Sequence, residues 1–193
     1  MTRARDVADR NITADQLDLT DDYAFTGTVT GISAGKVLQV VSTTKTDTAS
    51  FTSTTTNTFV DLSGLSVSIT PSSTSSKIMV LFTVNVSQST TATVHVRLMR
   101  DSTAIYVGDL AGNRLQSSSK WRNASTPYLL EVHNLNGNHL DSPATTSAVT
   151  YKLQGTLGAS YNGTYYVNRS GSDSNYDFGP RTASSITVME IEA

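Results

Sequence analysis

Lys77-Ile78-Met79-Val80-Leu81-Phe82-Thr83-Val84-Asn85-Val86 is the stretch on which the fold turns. Ile78, Val80, Phe82, Val84 and Val86 recur at every second position, which is the period of a strand and puts all five on one face. Met79, Leu81 and Thr83 fall on the other face, so this strand is predicted to be buried on both sides. The next run sets Val94, Val96 and Leu98 against Thr93, His95 and Arg97, the alternation of a half-exposed antiparallel strand. A third alternates Val149, Tyr151, Leu153 and Leu157 with Thr150, Lys152, Gln154 and Thr156.

Weaker alternation predicts further strands near residues 36–43, 48–54, 58–62, 65–70, 103–108, 126–133, 161–168 and 185–191, about ten or eleven in all. Between them lies turn chemistry: Ser63-Gly64, Thr70-Pro71-Ser72-Ser73, Asp101-Ser102, Asn136-Gly137 and Tyr161-Asn162-Gly163. No long helical period is present after residue 35. The expected fold class is therefore all-β: an antiparallel β-sandwich of jelly-roll character over residues 36–193, preceded by an extended N-terminal arm over residues 1–35.

Composition agrees. A chain of 193 residues has room for one domain and a short appendage. Hydrophobic residues make up 37% and charged residues 16%, while roughly three residues in ten are Ser or Thr, far above normal usage. Hydroxyls have replaced charge, which disfavours long helices and suits the outer faces of strands. A net charge of −2 without a Lys/Arg cluster leaves no electrostatic footprint for nucleic acid or an anionic membrane. The absence of Cys removes disulfides, thiolate zinc sites and cysteine nucleophiles. The start, Met1-Thr2-Arg3-Ala4-Arg5-Asp6, has no apolar core of a signal peptide, and no apolar run approaches the roughly 18 residues of a membrane span. A soluble, unprocessed chain is expected.

The arm carries many charges and few large apolar side chains, too few to bury a core. Thr13-Ala14-Asp15-Gln16 fits a capping box at the start of a short helical turn. Ile12, Leu17, Leu19, Tyr23 and Phe25 are its predicted contacts with a partner against which it becomes ordered.

Several motifs have a plain reading beside a chemical one. Gly31-Ile32-Ser33-Ala34-Gly35 matches a nucleophile elbow, but the next residues, Lys36-Val37-Leu38-Gln39-Val40-Val41, read as a strand where the elbow requires a helix. It is expected to be a hinge between arm and domain. Asp173-Ser174-Asn175-Tyr176-Asp177-Phe178-Gly179 has oxygen ligands at alternate positions, yet its glycine sits one place late and the twelfth position lacks Glu, so a surface loop is favoured over calcium. His95, His133 and His139 lack zinc spacing, so no metal and no cofactor is predicted. His95 and Arg97 share a face with Thr93 and form a candidate polar contact row. Trp121, read as part of the polar loop Ser117–Asn123, is with Arg122 a candidate surface contact. Tyr161, Tyr165, Tyr166 and Tyr176 could likewise stack on sugar rings; Tyr161 and Tyr176 join Trp121 and Arg122 as the candidate host-surface contacts.

An ordered series of motifs carries a resemblance. It runs through Gly35-Lys36-Val37-Leu38-Gln39-Val40-Val41, then Thr58-Phe59-Val60-Asp61-Leu62-Ser63-Gly64-Leu65-Ser66-Val67-Ser68-Ile69-Thr70-Pro71 and Ser75-Ser76-Lys77-Ile78-Met79-Val80. It continues in Leu98-Met99-Arg100-Asp101-Ser102-Thr103, Leu140-Asp141-Ser142-Pro143-Ala144-Thr145-Thr146-Ser147 and the ending Ala183-Ser184-Ser185-Ile186-Thr187-Val188-Met189-Glu190-Ile191. Residues 36 to 193 resemble the C-terminal domain of tail-fibre-like structural proteins of aquatic bacteriophages, cyanophages among them. The arm, with Asp18-Leu19-Thr20-Asp21-Asp22-Tyr23-Ala24-Phe25-Thr26-Gly27-Thr28-Val29, is similar to segments that precede such domains.

The resemblance implies a trimeric virion protein on the tail or capsid exterior, made in the host cytoplasm, with a peptide that fixes it to the particle. It carries over no catalytic or receptor-contact residue. The expected function is a short trimeric tail fibre or receptor-binding protein that attaches the particle to the host surface; the alternative is a trimeric capsid decoration or head-fibre protein. Its partners would be two further copies, other virion proteins of baseplate, tail or capsid reached through the arm, and a host surface glycan or protein, with neither nucleic acid nor membrane among them. An enzyme such as a polysaccharide depolymerase would need paired carboxylates across a groove, and the acids here concentrate in the arm and loops.

Overall fold

The computed structural model describes residues 35–53, 57–89, 91–122, 130–158 and 163–192. The predicted arm, with Ile12, Leu17, Leu19, Tyr23 and Phe25, lies outside the described residues, as do Tyr161 and most of the glycine-serine motif at 31–35. Among the described residues eleven strands succeed one another: β1 (Val37–Lys45), β2 (Ala49–Ser53), β3 (Val60–Ile69), β4 (Lys77–Gln88), β5 (Thr93–Arg100), β6 (Thr103–Ile105), β7 (Ser119–Arg122), β8 (His133–Asp141), β9 (Val149–Leu157), β10 (Gly163–Val167) and β11 (Ser184–Ile191). Every pairing is antiparallel.

They form two sheets. The first runs β1-β11-β4-β8, with β10 and β2 continuing beyond β11 along the same side of β4; the second runs β3-β9-β5, with β6 and β7 end to end along the far side of β5. The chain passes from sheet to sheet at six of the ten connections between these strands, and the first strand pairs with the last and β3 with β9. That wrapping is the jelly-roll form of the sandwich, a fold of all-β class.

Alternation in sequence becomes the two sides of each sheet. Ile78, Val80, Phe82, Val84 and Val86 of β4 are buried against Val94, Val96 and Leu98 of β5 and Tyr151, Leu153 and Leu157 of β9 in one continuous core. Both sheets contribute, as the two inward faces of a sandwich about 10 Å apart do. The other side of β4 departs from the expectation of two-sided burial: Met79 is half-buried and Leu81 is 37% exposed, because no other described segment covers that face.

Most polar groups inside the sandwich are paired, the exceptions among the described residues being Gln88 Oε1, the Tyr165 hydroxyl and Thr182 Oγ1. Asp141 at the end of β8 reaches the second sheet, where Arg100 Nη1 lies 2.9 Å and 3.0 Å from its two oxygens and the Tyr151 hydroxyl donates to it at 2.7 Å. Burial, and then the neighbouring Asp141 carboxylate, push the Tyr151 hydroxyl well above its ordinary range, so it stays a donor. Glu190, fully buried on β11, accepts from Gln39 Nε2 at 2.6 Å and from the Ser72 amide and hydroxyl at 2.7 Å and 2.6 Å. It thereby pins the turn after β3 to the first sheet.

Candidate functional site

The outer face of the second sheet collects the polar chemistry of the chain. β5 turns Thr93, His95 and Arg97 outward, and in register Arg122 lies beside Thr93, Lys120 beside His95 and Gln154 beside Arg97. The predicted contact row is thus a real row, lengthened by β7. Among β3, β5, β6, β7 and β9 the one carboxylate is Asp61. Against it stand Arg97, Lys120, Arg122 and Lys152, while Arg100 is turned inward to Asp141.

Part of this charge is tied down. Lys152 Nζ lies 2.7 Å from Asp61, Gln154 donates to the same carboxylate at 2.6 Å, and Arg97 donates twice to Gln154 Oε1, at 2.9 Å and 2.7 Å. Arg97 also lies 4.1 Å above the Phe59 ring. Hydrogen bonds from Lys152 and then Gln154 hold the Asp61 carboxyl below its ordinary range. At the other end of the face Arg114, Lys120 and Arg122 make no ion pair among the described residues.

A depression opens there. The segment after β6 returns alongside β5 because the Ser118 amide donates to Val96 O at 2.9 Å while its hydroxyl accepts from the Leu98 amide at 2.9 Å. Gln116 Nε2 closes the segment on itself by donating to Gly108 O at 2.7 Å. The result is an open hollow of about 540 Å³ lined by His95, Arg114, Leu115, Ser117, Ser118, Ser119 and Lys120. His95 Nδ1 is 3.2 Å from the Ser117 hydroxyl. Burial, and then the charge of Lys120, push His95 down to about 4, so at neutral pH its ring is an uncharged hydrogen-bonding group. Two cations, the hydroxyls of Ser117 and Ser118 and a neutral imidazole can hold an anionic, hydroxylated ligand.

The residues that stand out in the sequence do not form one cluster of exposed side chains. Trp121 is corrected from a loop to β7: half-buried, it turns its ring into the sandwich, packs on the core and stacks on His133 at 3.9 Å between centroids. A strand of four residues is too short to show its alternation among serines. Arg122, next along β7, is exposed on the charged face beside Lys120. Tyr176 is 60% exposed on the segment between β10 and β11, where its ring stacks on that of Phe178, 59% exposed, at 5.0 Å and 6°. That segment is braced by Asp173, whose carboxylate receives Arg169 at 3.2 Å and also Arg181. Tyr165 is buried, and Tyr166 lies under the Arg169 guanidinium at 4.3 Å. The histidines are spread over separate partners, His133 at 3.1 Å from Glu131 and His139 stacked on Tyr106 at 5.4 Å. Arg114, Leu115, Ser117, Lys120 and Phe178 do not stand out in the sequence; only Lys120, alternating with Trp121 and next but one to Arg122, leaves a signal there.

No protein-family model matches the chain, and no curated protein matches it. Solved structures with a similar arrangement come from infectious bursal disease virus. The Gx strain structure has a TM-score of 0.41 at 14% identity and covers 79% of this chain and 40% of its own. The VP2 subviral particle has the same score and identity and covers 79% and 38%, and the Gt strain structure covers 90% and 45%. This chain therefore spans less than half the length of each. Unrelated sequences reach two-sheet sandwiches often, and a likeness of this degree leaves function to the residues of the chain itself.

Proposed function

We propose that the chain is a bacteriophage virion structural protein, working as a short trimeric tail fibre or receptor-binding protein that attaches the particle to the host surface. The observation that carries this reading, beside the sequence resemblance, is the outer face of the first sheet. Val40, Met189, Met79 and Leu140 are successive register partners across β1, β11, β4 and β8, and form an apolar rung running through all four strands. Val40 is 55% and Leu140 50% exposed. The next rungs are Ser42, Thr187, Leu81 and Asn138, then Thr44, Ser185, Thr83 and Asn136. Lys77, at the rim, is the one charged residue these four strands turn outward.

Depletion of charge with enrichment of Met and apolar groups marks the centre of a subunit interface. Four strands about 4.8 Å apart and about nine residues long give a face of roughly 19 by 30 Å. That is on the order of 600 Å² before side-chain relief is counted, close to the roughly 800 Å² per partner of a stable interface. A face whose single charge stands at the rim meets copies of itself with little repulsion, and closed symmetry then leaves the charged sheets outside for contact with a host. Attachment would be multivalent, weak sites on three subunits summing to avidity.

Light scattering of the full chain is expected to give three times the chain mass, and Met79→Glu with Leu140→Glu is expected to give a folded monomer. The labelled trimer should bind saturably to particular strains in a panel of aquatic bacteria. A monomeric wild-type chain that adheres to no strain overturns the reading; a trimer that adheres to none but binds purified capsids moves it to capsid decoration.

A further inference from the structure

We propose that the hollow between β5, β7 and the segment 114–119 is a binding site for a saccharide carrying an anionic group. This rests on the receptor-binding reading and names the ligand class. Four observations select that class. Arg114 and Lys120 flank the hollow, and neither has an ion-pair partner among the described residues, so both charges are available to a ligand. The wall between them carries the hydroxyls of Ser117 and Ser118. Leu115 is its single apolar side chain, enough for the C–H face of one sugar ring but short of the several apolar anchors that hold a peptide. Its volume of about 540 Å³ suits a ligand of two or three rings and is far larger than an inorganic anion requires.

Geometry assigns the contacts. Lys120 and His95 are register partners on neighbouring strands, so the ammonium group and the imidazole edge stand on the same outer face. His95 Nδ1 is engaged by Ser117, which fixes the ring in the wall while its Nε2 edge packs towards Gly158. Arg114, from the returning segment, can grip an anionic group in bidentate fashion while Lys120 acts as a point charge. Arg122, two residues along β7, extends the cationic strip for a longer chain of sugars. No proton or group transfer is implied: the hollow offers recognition.

The test is calorimetric titration of the full-length protein with trigalacturonate, a sulfated trisaccharide, neutral maltotriose and hexaglutamate. Trigalacturonate or the sulfated sugar should bind in the high-micromolar to millimolar range, the better of the two identifying the anionic group. Affinity should fall at least tenfold in Arg114→Gln and in Lys120→Gln, both surface changes, and should fall with added salt, whereas Thr52→Ala, on β2 of the other sheet, should leave it unchanged. Equal binding of maltotriose, tighter binding of hexaglutamate, or affinities indifferent to both substitutions would overturn the site. A trimer that adheres to cells but ignores both anionic sugars overturns this inference and leaves the receptor-binding reading standing; a chain that binds the sugars as a monomer and adheres to no cell does the reverse.

Discussion

Asn168 stands at φ +62° with its side chain fully buried, and every polar group it has is used. Its Nδ2 donates to Lys45 O at 2.8 Å and Asp47 O at 3.0 Å, and its Oδ1 accepts from the Ser184 hydroxyl at 2.5 Å. Its own amide donates to Asn85 O at 3.0 Å and its carbonyl accepts from the Thr182 amide at 3.1 Å. One residue thus ties the β1–β2 turn, β4 and the start of β11 to the end of β10. Asn is the non-glycine residue best suited to left-handed backbone, so conformation and bonding agree. Asn168→Ala strands two carbonyls and a hydroxyl and should cost about 2–4 kcal/mol, read as a lower denaturant midpoint. Asn168→Asp should be worse, because a carboxylate would face both carbonyls.

Two other residues carry large shifts in the acid range. His95 is held at about 4 in the folded chain against 6.5 in the unfolded one. The unfolded state therefore binds the extra proton first, and stability falls as pH drops from 6.5 towards 4. Because the ring is only partly buried, the loss is discounted to about 1–2 kcal/mol. Burial alone would raise Glu190, but the bonds from Ser72, Gln39 and Ser76 outweigh it and leave the carboxyl at about 2, against 4.5 unfolded. Its contribution is whole above pH 4.5 and is lost as pH falls towards 2. Urea midpoints measured from pH 7 to 2 should decline in two limbs, the upper flattened by His95→Gln and the lower by Glu190→Gln.

At the scale of elements, β8 is where sequence and structure part. Asn136-Gly137 reads as a turn, yet both lie mid-strand opposite Thr83 and Phe82 of β4. The glycine is there for space: a Cβ on Gly137 would stand 2.6 Å from the Phe82 ring and 2.8 Å from that of Tyr106. Gly137→Ala should therefore destabilise by about 1–3 kcal/mol through overpacking, although strand propensity alone predicts a gain. Thermal midpoints of alanine variants at 136, 137 and 138 would show the penalty confined to 137, since Asn136 and Asn138 are exposed. Strands whose alternation pairs branched apolar with polar residues, β4, β5, β9 and β11, are legible because one inward face needs nothing else to specify it. β3 reads as two strands, since Ser63-Gly64 mimics a turn; Gly64 at φ +80° instead marks an irregularity where the pairing with β9 shifts. β7 is lost among serines, and with it the placement of Trp121. Of the candidate site, the row Thr93, His95 and Arg97 is visible from period alone. The hollow is not, because Arg114 and Ser117 reach it through a returning segment whose course is set by hydrogen bonds to β5.

At the scale of the whole molecule the two outer faces divide the work of a single sandwich. One carries a single charge, Lys77 at its rim, and is crossed by an apolar rung; the other carries cations beside a hydroxyl-lined hollow. Because they lie on opposite sheets, a substitution on one should leave the intrinsic property of the other intact. Met79→Glu with Leu140→Glu should therefore leave the affinity of each chain for a soluble anionic trisaccharide within about twofold of wild type. Adhesion to a surface coated densely with the same sugar is a different quantity. If three hollows engage one surface, linking them raises apparent affinity by about 10²–10⁴ without a new contact, and the monomeric variant should lose that factor. Surface plasmon resonance at high and low coating density measures it. The wild-type chain should dissociate much more slowly at high density, and the variant should dissociate at one rate throughout. A wild type equally indifferent to density would mean that the hollows cannot reach a common plane, and attachment would then have to rest on a single contact per particle site.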